Sequence, residues 1–234
     1  MSQKSIAVFG ASSGIGQSIA ENLISQGSKV YSYSRKQPGI EGFEHHQVLD
    51  ITTIGVKDIN VPDQLHGLVY CPGSITLKPF SALKPEHFQQ DFELNALGAV
   101  KALQAAYKPL RSAGSASVVL FSTVAVSVGM NYHASIAMAK GAIEALTKSL
   151  AAEWAGSNIR VNAIAPSLTQ TPLANQLLSS EEKQKASAQR HPLGRFGQAE
   201  DIAAAATFLL SENSSWITGQ VLHIDGGLST LKPL

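Results

Sequence analysis

Near the N-terminus, Gly10-Ala11-Ser12-Ser13-Gly14-Ile15-Gly16 has the residue types and spacing of a phosphate-holding loop. Gly10 follows a β-rich run, Ser5-Ile6-Ala7-Val8-Phe9, and Gly16 opens a helical pattern. A glycine at the strand end permits a sharp turn, and one in the first helical turn permits close backbone approach. Free N–H groups and the helix dipole then face an anion such as a pyrophosphate. A glycine loop alone is a weak signal, and its bland alternative is a tight turn with no ligand; its place after the first strand strengthens it.

The second β-rich run ends Ser34-Arg35-Lys36. An acidic side chain there would bind ribose hydroxyls and repel a 2′-phosphate, whereas a cation pairs with that phosphate. The position therefore favours NADP(H) over NAD(H); a solvated basic pair on a loop is the alternative. No group of His, Cys, Asp or Glu has metal-ligand spacing, and no metal is expected. His45, His46, His66, His87, His191 and His223 read as structural.

These groups need a scaffold, and the pattern supplies one. Strand runs at 5–9, 28–33, 45–49, 67–71, 116–122, 159–165 and 220–224 alternate with helical patterns at about 14–26, 85–112, 131–155, 172–189 and 198–212. Such alternation predicts an α/β fold, one doubly wound domain over residues 1–234 with a seven-stranded parallel sheet covered on both faces. Pro109 and Gly114 are expected to close the long middle helix, and Gly156 the next one. The stretch 35–50 has Pro38, Gly39 and Gly42 and room for no more than a loop or single turn. Segment 131–155 is apolar nearly all round, so it should be buried on every face, by neighbouring helices or by a second subunit.

Composition excludes several classes. A chain of 234 residues with 44% hydrophobic content supports one sizeable core. A formal net charge of +1 gives no electrostatic footprint for nucleic acid or anionic membrane. No apolar stretch approaches a transmembrane span, and the first residues lack the pattern of a signal peptide. One cysteine, Cys71, allows no intrachain disulfide and fits a reducing, cytoplasmic compartment; it reads as a small apolar filler.

The motifs together resemble the short-chain dehydrogenase/reductase family over nearly the whole chain. Gly10–Gly16 matches its cofactor loop, and Asp50-Ile51-Thr52 its adenine-contacting segment. Leu94-Asn95-Ala96-Leu97-Gly98, Ile159–Pro166, Pro192–Gly197, Ile217-Thr218-Gly219-Gln220 and Asp225-Gly226-Gly227 match later segments. The resemblance implies a cofactor site of Gly10, Ser12, Ser13, Gly14, Ile15, Gly16, Ser34, Arg35, Asp50, Ile51, Gly73, Asn95, Lys140, Pro166, Thr169 and Thr171. It also implies a homotetramer and a small carbonyl, alcohol or enone substrate.

The family's catalytic Asn, Ser, Tyr and Lys map unevenly. Asn95 and Lys140 match, and Thr123 stands where the Ser belongs and keeps a hydroxyl. Four residues before Lys140 the Tyr is replaced by Ile136, which cannot donate a proton. The family's Asn-Asn-Ala-Gly turn reads Tyr70-Cys71-Pro72-Gly73, and its Pro-Gly reads Pro166-Ser167. His133 and Tyr132, three and four residues before Ile136, are expected to share a helix face with the vacant position. His133 takes the place of the active Tyr of the divergent enoyl reductases and is the favoured donor; Tyr132, or a water on Asn95 and Lys140, are the others. The competing class is an NADP(H)-binding sensor or inactive subunit. A lyase on the same scaffold is a third.

Overall fold

The computed structural model describes residues 3–232. Its nine strands are β1 (Ser5–Phe9), β2 (Lys29–Ser34), β3 (His45–Val48), β4 (Gly67–Tyr70), β5 (Ala116–Phe121), β6 (Ile159–Pro166), β7 (Thr169–Gln170), β8 (Gly197–Gln198) and β9 (Val221–Ile224). Seven form a parallel sheet in the order β3-β2-β1-β4-β5-β6-β9, while β7 and β8 pair separately. The helices are α1 (Gly14–Ser25), α2 (Pro85–Phe92), α3 (Gly98–Ser112), α4 (Ala134–Trp154), α5 (Glu181–Gln189) and α6 (Ala199–Leu210). The expected α/β fold and its seven-stranded parallel sheet are present.

Alternation along each strand divides the interior into two cores. Ala7 and Phe9 of β1, with Val118 and Leu120 of β5, face a core closed by Ala102, Leu103, Ala106 and Leu110 of α3 and Ile143 and Trp154 of α4. Ile6 and Val8, with Val119 and Phe121, face the other, closed by Ile19 and Leu23 of α1 and Ile202, Ala206 and Leu209 of α6. Because both faces are covered, β4 and β5 are buried at every residue, as continuous apolar runs require. Strand order reverses between β1 and β4. The loops leaving their carboxyl ends, from Gly10 and from Cys71, therefore diverge and leave a crevice between them.

Several boundaries differ from the sequence expectation. Pro109 lies inside α3, which runs on to Ser112; its ring falls near the C-terminus, and Gly114 (φ 76°) makes the exit. After α4 a 3-10 turn, Ala155–Ser157, precedes Asn158 (φ 57°), so Asn158 and not Gly156 makes the left-handed exit. The expected helix over 172–189 divides into a 3-10 segment, Pro172–Leu178, and α5. The expected helix over 85–112 is broken by a π turn at Glu93–Leu97.

The face of α4 bearing Ile136, Ala139, Lys140, Ile143, Thr147 and Ala151 is buried. The opposite face, with Met138 51% exposed and Ala145, Lys148 and Ala152 beside it, is not covered within this chain. Of the two alternatives for burying α4 on every face, cover by neighbouring helices of the same chain is not met: α2 and the sheet cover one side only.

Candidate active site

Two cavities meet at the carboxyl ends of the strands. The first, about 550 Å³, is lined by Gly10, Ser12–Gly16, Ser34, Arg35, Lys36, Asp50, Ile51 and Gly73. The second, about 330 Å³, is lined by Thr123, His133, Ile136, Lys140, Pro166, Ser167, Thr169 and His191 among others. Ile15, Cys71, Gly73, Thr171 and Leu173 line both. The sequence-predicted cofactor residues thus converge, with Pro166 and Thr169 on the second cavity and Thr171 at the junction. Asn95 lies behind the cavity walls.

The first cavity is shaped for an anion. Gly10 (φ 84°) and Gly14 (φ 56°) adopt left-handed backbone conformations. A Cβ on Gly16 would overlap the Gly10 carbonyl, so strand end and helix start touch. Ser13 precedes α1 in extended conformation and its side chain does not cap the helix; no acidic residue occupies the first turn. The first-turn N–H groups are therefore open to an anionic ligand. A Cβ on Gly14 would stand 3.2 Å from Thr171, which brings the segment after β7 onto the loop. Ser34 spends its hydroxyl on the Lys36 carbonyl at 2.9 Å, leaving Arg35 and Lys36 as the groove's cations at this end. Asp50 Oδ1 accepts from the Thr52 amide (2.9 Å) and hydroxyl (2.7 Å). Those bonds, Thr52 hydroxyl first, hold the Asp50 carboxyl below its usual range. These residues fit a dinucleotide.

In the second cavity, Lys140 is buried and its Nζ donates to the Phe121 carbonyl at 2.8 Å. Burial lowers its pKa to about 8, against smaller opposing effects from Cys71 and Asp91. Thr123 Oγ1 accepts from the Ala125 amide at 3.3 Å, which leaves its O–H free to donate into the cavity. Ser122 beside it donates to Glu144 at 2.6 Å and is spent there. Ile136, one turn before Lys140, fills its place with an apolar side chain. Cys71 shows little surface, and burial pushes its thiol up to about 12, against a reactive thiolate.

The two α4 donor candidates separate. The helix starts at Ala134, so Tyr132 and His133 precede it and do not share its face. Tyr132 takes φ 71°, is 57% exposed, and does not line the cavity. The left-handed turn throws its ring outward. His133 is half-buried and lines the cavity, with Nδ1 on the Asn131 carbonyl at 2.7 Å.

Asn95 sits on the π turn, where the backbone register shifts. Its Nδ2 donates to the Asp91 carbonyl (2.7 Å) and to Ser74 Oγ (2.9 Å), while its buried Oδ1 has no protein partner. A Cβ on Gly73 would lie 3.2 Å from that oxygen and 3.7 Å from Lys140 Nζ. Both groups thus border the same small space beside Gly73, where a bridging water would satisfy the amide oxygen.

Asp91 was invisible to sequence reasoning. It is 2% exposed and accepts from Ser74 Oγ (2.6 Å), Thr76 Oγ1 (3.1 Å) and Ser135 Oγ (2.6 Å). The carboxylate ties the loop after β4 to α2 and α4. Its only signal was the four-residue spacing to Asn95, which says nothing of burial.

Comparisons agree with this geometry. Residues 56–229 match a family described as enoyl-(acyl carrier protein) reductase. A tropinone reductase homolog of Arabidopsis thaliana is 34% identical, over 95% of this chain and 91% of the relative. A Thermoplasma acidophilum aldohexose dehydrogenase superimposes with TM-score 0.91 at 29% identity, over 99% of this chain and 96% of the other. A putative 2-deoxy-D-gluconate 3-dehydrogenase from Agrobacterium tumefaciens, solved with bound NADP, gives TM-score 0.88 at 31% identity, over 96% of each chain. The chain belongs to the short-chain dehydrogenase/reductase family, whose members carry out NAD(P)-dependent oxidoreduction of small molecules.

Proposed function

We propose that the protein is an NADP(H)-preferring reductase or dehydrogenase of a small carbonyl, alcohol or enone that works without a phenol at position 136. The observation that carries this reading is the junction of an anion-ready groove with a cavity presenting Thr123 and Lys140. When bound, the nicotinamide supplies or takes the hydride. Thr123 orients the substrate oxygen with its free O–H, and Lys140 holds the nicotinamide ribose. Asn95 anchors a water against Lys140. Gly10, Ser12–Gly16, Asp50, Ile51, Gly73, Pro166, Thr169 and Thr171 shape the dinucleotide site, and Arg35 receives the 2′-phosphate near Ser34. The proton comes from a group that lines the cavity, and His133, on the turn before α4, is the candidate on that side.

The same reading treats the chain as one catalytic domain, since one sheet carries both cavities. It assembles four copies through the uncovered face of α4. Among the described residues no helix is long and apolar enough to cross a membrane. A cytoplasmic location belongs to the reading, supported by the single free thiol, Cys71.

The test is oxidation of NADPH and NADH against a panel of aldehydes, ketones, quinones and enones. Turnover of one compound with NADPH supports the reading. Ile136 favours a second reading, a sensor or inactive subunit that binds NADPH without turnover. Tight NADPH binding with no turnover across the panel would replace the first reading by the second.

A further inference from the structure

Ser167 and His191 form a hydroxyl–imidazole pair on the wall of the second cavity, on elements distant from α4. Ser167 follows Pro166 at the carboxyl end of β6 and is half-buried; His191 lies just after α5 and is 4% exposed. The ring nitrogens face two oxygens, Nδ1 the Ser187 carbonyl at 2.7 Å and Nε2 the Ser167 Oγ at 2.8 Å. A carbonyl only accepts, so Nδ1 carries a hydrogen. In the neutral ring Nε2 must then accept, and the Ser167 hydroxyl must donate to it. A cavity-facing hydroxyl whose proton already points at an imidazole held in one tautomer is an acid–base pair. A purely packing histidine would need the same two bonds. It would not need its partner to be a hydroxyl on the reaction cavity.

The neighbours give the pair a task. Strands β5 and β6 are paired in parallel through Phe121 and Ile164, and the Ser122 amide donates to the Ile164 carbonyl at 2.7 Å. Thr123 and Ser167 stand two and three residues beyond that pair, at the ends of neighbouring strands whose spacing is about 4.8 Å. Thr123 and Ser167 both line this cavity, while Ile136, also on its wall, offers no proton.

We propose that Ser167 and His191 exchange the substrate's proton, in place of a side chain at 136. The proposal rests on the redox reading above. In the oxidising direction the substrate hydroxyl passes its proton to Ser167 Oγ, as the Ser167 proton passes to His191 Nε2. The carbon–hydrogen bond breaks, its electron pair leaving as hydride to oxidised NADP, and the carbon–oxygen double bond forms. His191 becomes an imidazolium donating from both nitrogens, to Ser187 O and to Ser167 Oγ. In the reducing direction the carbonyl carbon takes hydride from NADPH, the oxygen takes the Ser167 proton, and the imidazolium restores it. Ser167 is the catalytic residue of the pair; His191 acts through it.

Two measurements test this on the full-length protein. The first is nitrogen-15 NMR of His191 without cofactor, where the Nδ1–H tautomer is expected; an Nε2–H tautomer would overturn the proposal. The second is turnover with a substrate from the NADPH panel. Ser167→Gly and His191→Ala should each lower kcat by about 10²–10⁴-fold, the usual contribution of a general acid. NADPH affinity should stay unchanged, and added imidazole should restore part of the His191→Ala rate, which a packing role would not allow. His133→Ala tests the rival donor: a loss in that range there, with Ser167→Gly close to wild type, would give the proton to His133 and overturn the pair. If His191→Ala does not fold, Ser167→Gly carries the test alone, since it leaves the imidazole in place. Turnover that survives Ser167→Gly overturns the pair and leaves the redox reading standing. NADPH binding with no wild-type turnover overturns the redox reading and the pair with it.

Discussion

At the scale of one residue, the proposed preference for NADP(H) rests on Arg35. It lines the groove beside Ser34 and Lys36, with Asp50 near enough to feel its charge. A charge-assisted bond to the 2′-phosphate contributes about 1.5–3 kcal/mol. Arg35→Ala should therefore cost NADPH affinity by roughly tenfold or more and leave NADH affinity nearly unchanged. Calorimetry showing the two cofactors bound equally by the wild type would remove the NADP assignment. Lys140 gives a second test, in stability. Burial lowers its pKa to about 8 from an ordinary 10.5, so above pH 8 the folded state binds fewer protons than the unfolded chain. Stability contributed by this residue then rises with pH between those values. Above pH 9 the Cys71 thiol, raised to about 12, acts in the opposite sense, so the clean window is pH 8 to 9. There the cofactor-free protein should gain on the order of 1 kcal/mol per pH unit relative to Lys140→Met, measured by urea denaturation. A flat difference across that window would mean that Lys140 is not a depressed amine.

The π turn between α2 and α3 positions Asn95, and its own support can be broken at the scale of the element. Tyr70 Oη donates to the Leu94 carbonyl at 2.6 Å, directly beneath Gly98, where a Cβ would overlap that oxygen. Gly98→Ala gains up to about 1 kcal/mol of helix propensity but forces the phenol aside, an overpacking cost of about 1–3 kcal/mol. In a Tyr70→Phe background the hydroxyl is gone, and the same substitution should be distinctly milder. A double-mutant cycle reads the difference directly; additivity would show that Tyr70 and Gly98 do not meet. Asp91 supports the turn from the other side. Asp91→Leu would strand the hydroxyls of Ser74, Thr76 and Ser135, and should lower stability by about 3 kcal/mol. A variant as stable as the wild type in chemical denaturation would show that water replaces the carboxylate.

At the scale of the whole molecule, the uncovered face of α4 sets the expectation. Met138, Ala145 and Ala152 are small or apolar and face outward on a helix whose other side is core. An Ala-rich face allows close approach of a second helix, and a symmetric assembly would take this patch out of water. Sedimentation at micromolar concentration should give a species heavier than 24.7 kDa, four times heavier for the proposed tetramer. Ala145→Glu, which puts a charge in that face and touches no cavity residue, should shift the protein toward smaller species. A wild-type monomer would show that the face is stable in water.

Strand–helix alternation, the glycine loop and the position of Lys140 were legible in the sequence because each is local. Hydrophobic periodicity reports which face of an element is buried, and Gly10 and Gly16 report backbone approach only a Cβ-free residue permits. The same locality explains the errors. Pro109 looked like a helix end because packing that carries a helix past a weak residue is not written beside it, and Gly156 stood in for Asn158, which makes the left-handed exit two residues on. Tyr132 and His133 looked like helix residues because the left-handed φ at Tyr132 is fixed by the chain around it, including the bond from the Lys78 amide to its carbonyl. Asp91 with Ser135, and Ser167 with His191, are pairs separated by 44 and 24 positions. A hydrogen bond across such a span exists only once the helices have packed against each other and against the strand ends. The sequence thus determined the scaffold and the cofactor loop, and the tertiary structure decided which polar groups meet at the reacting cavity.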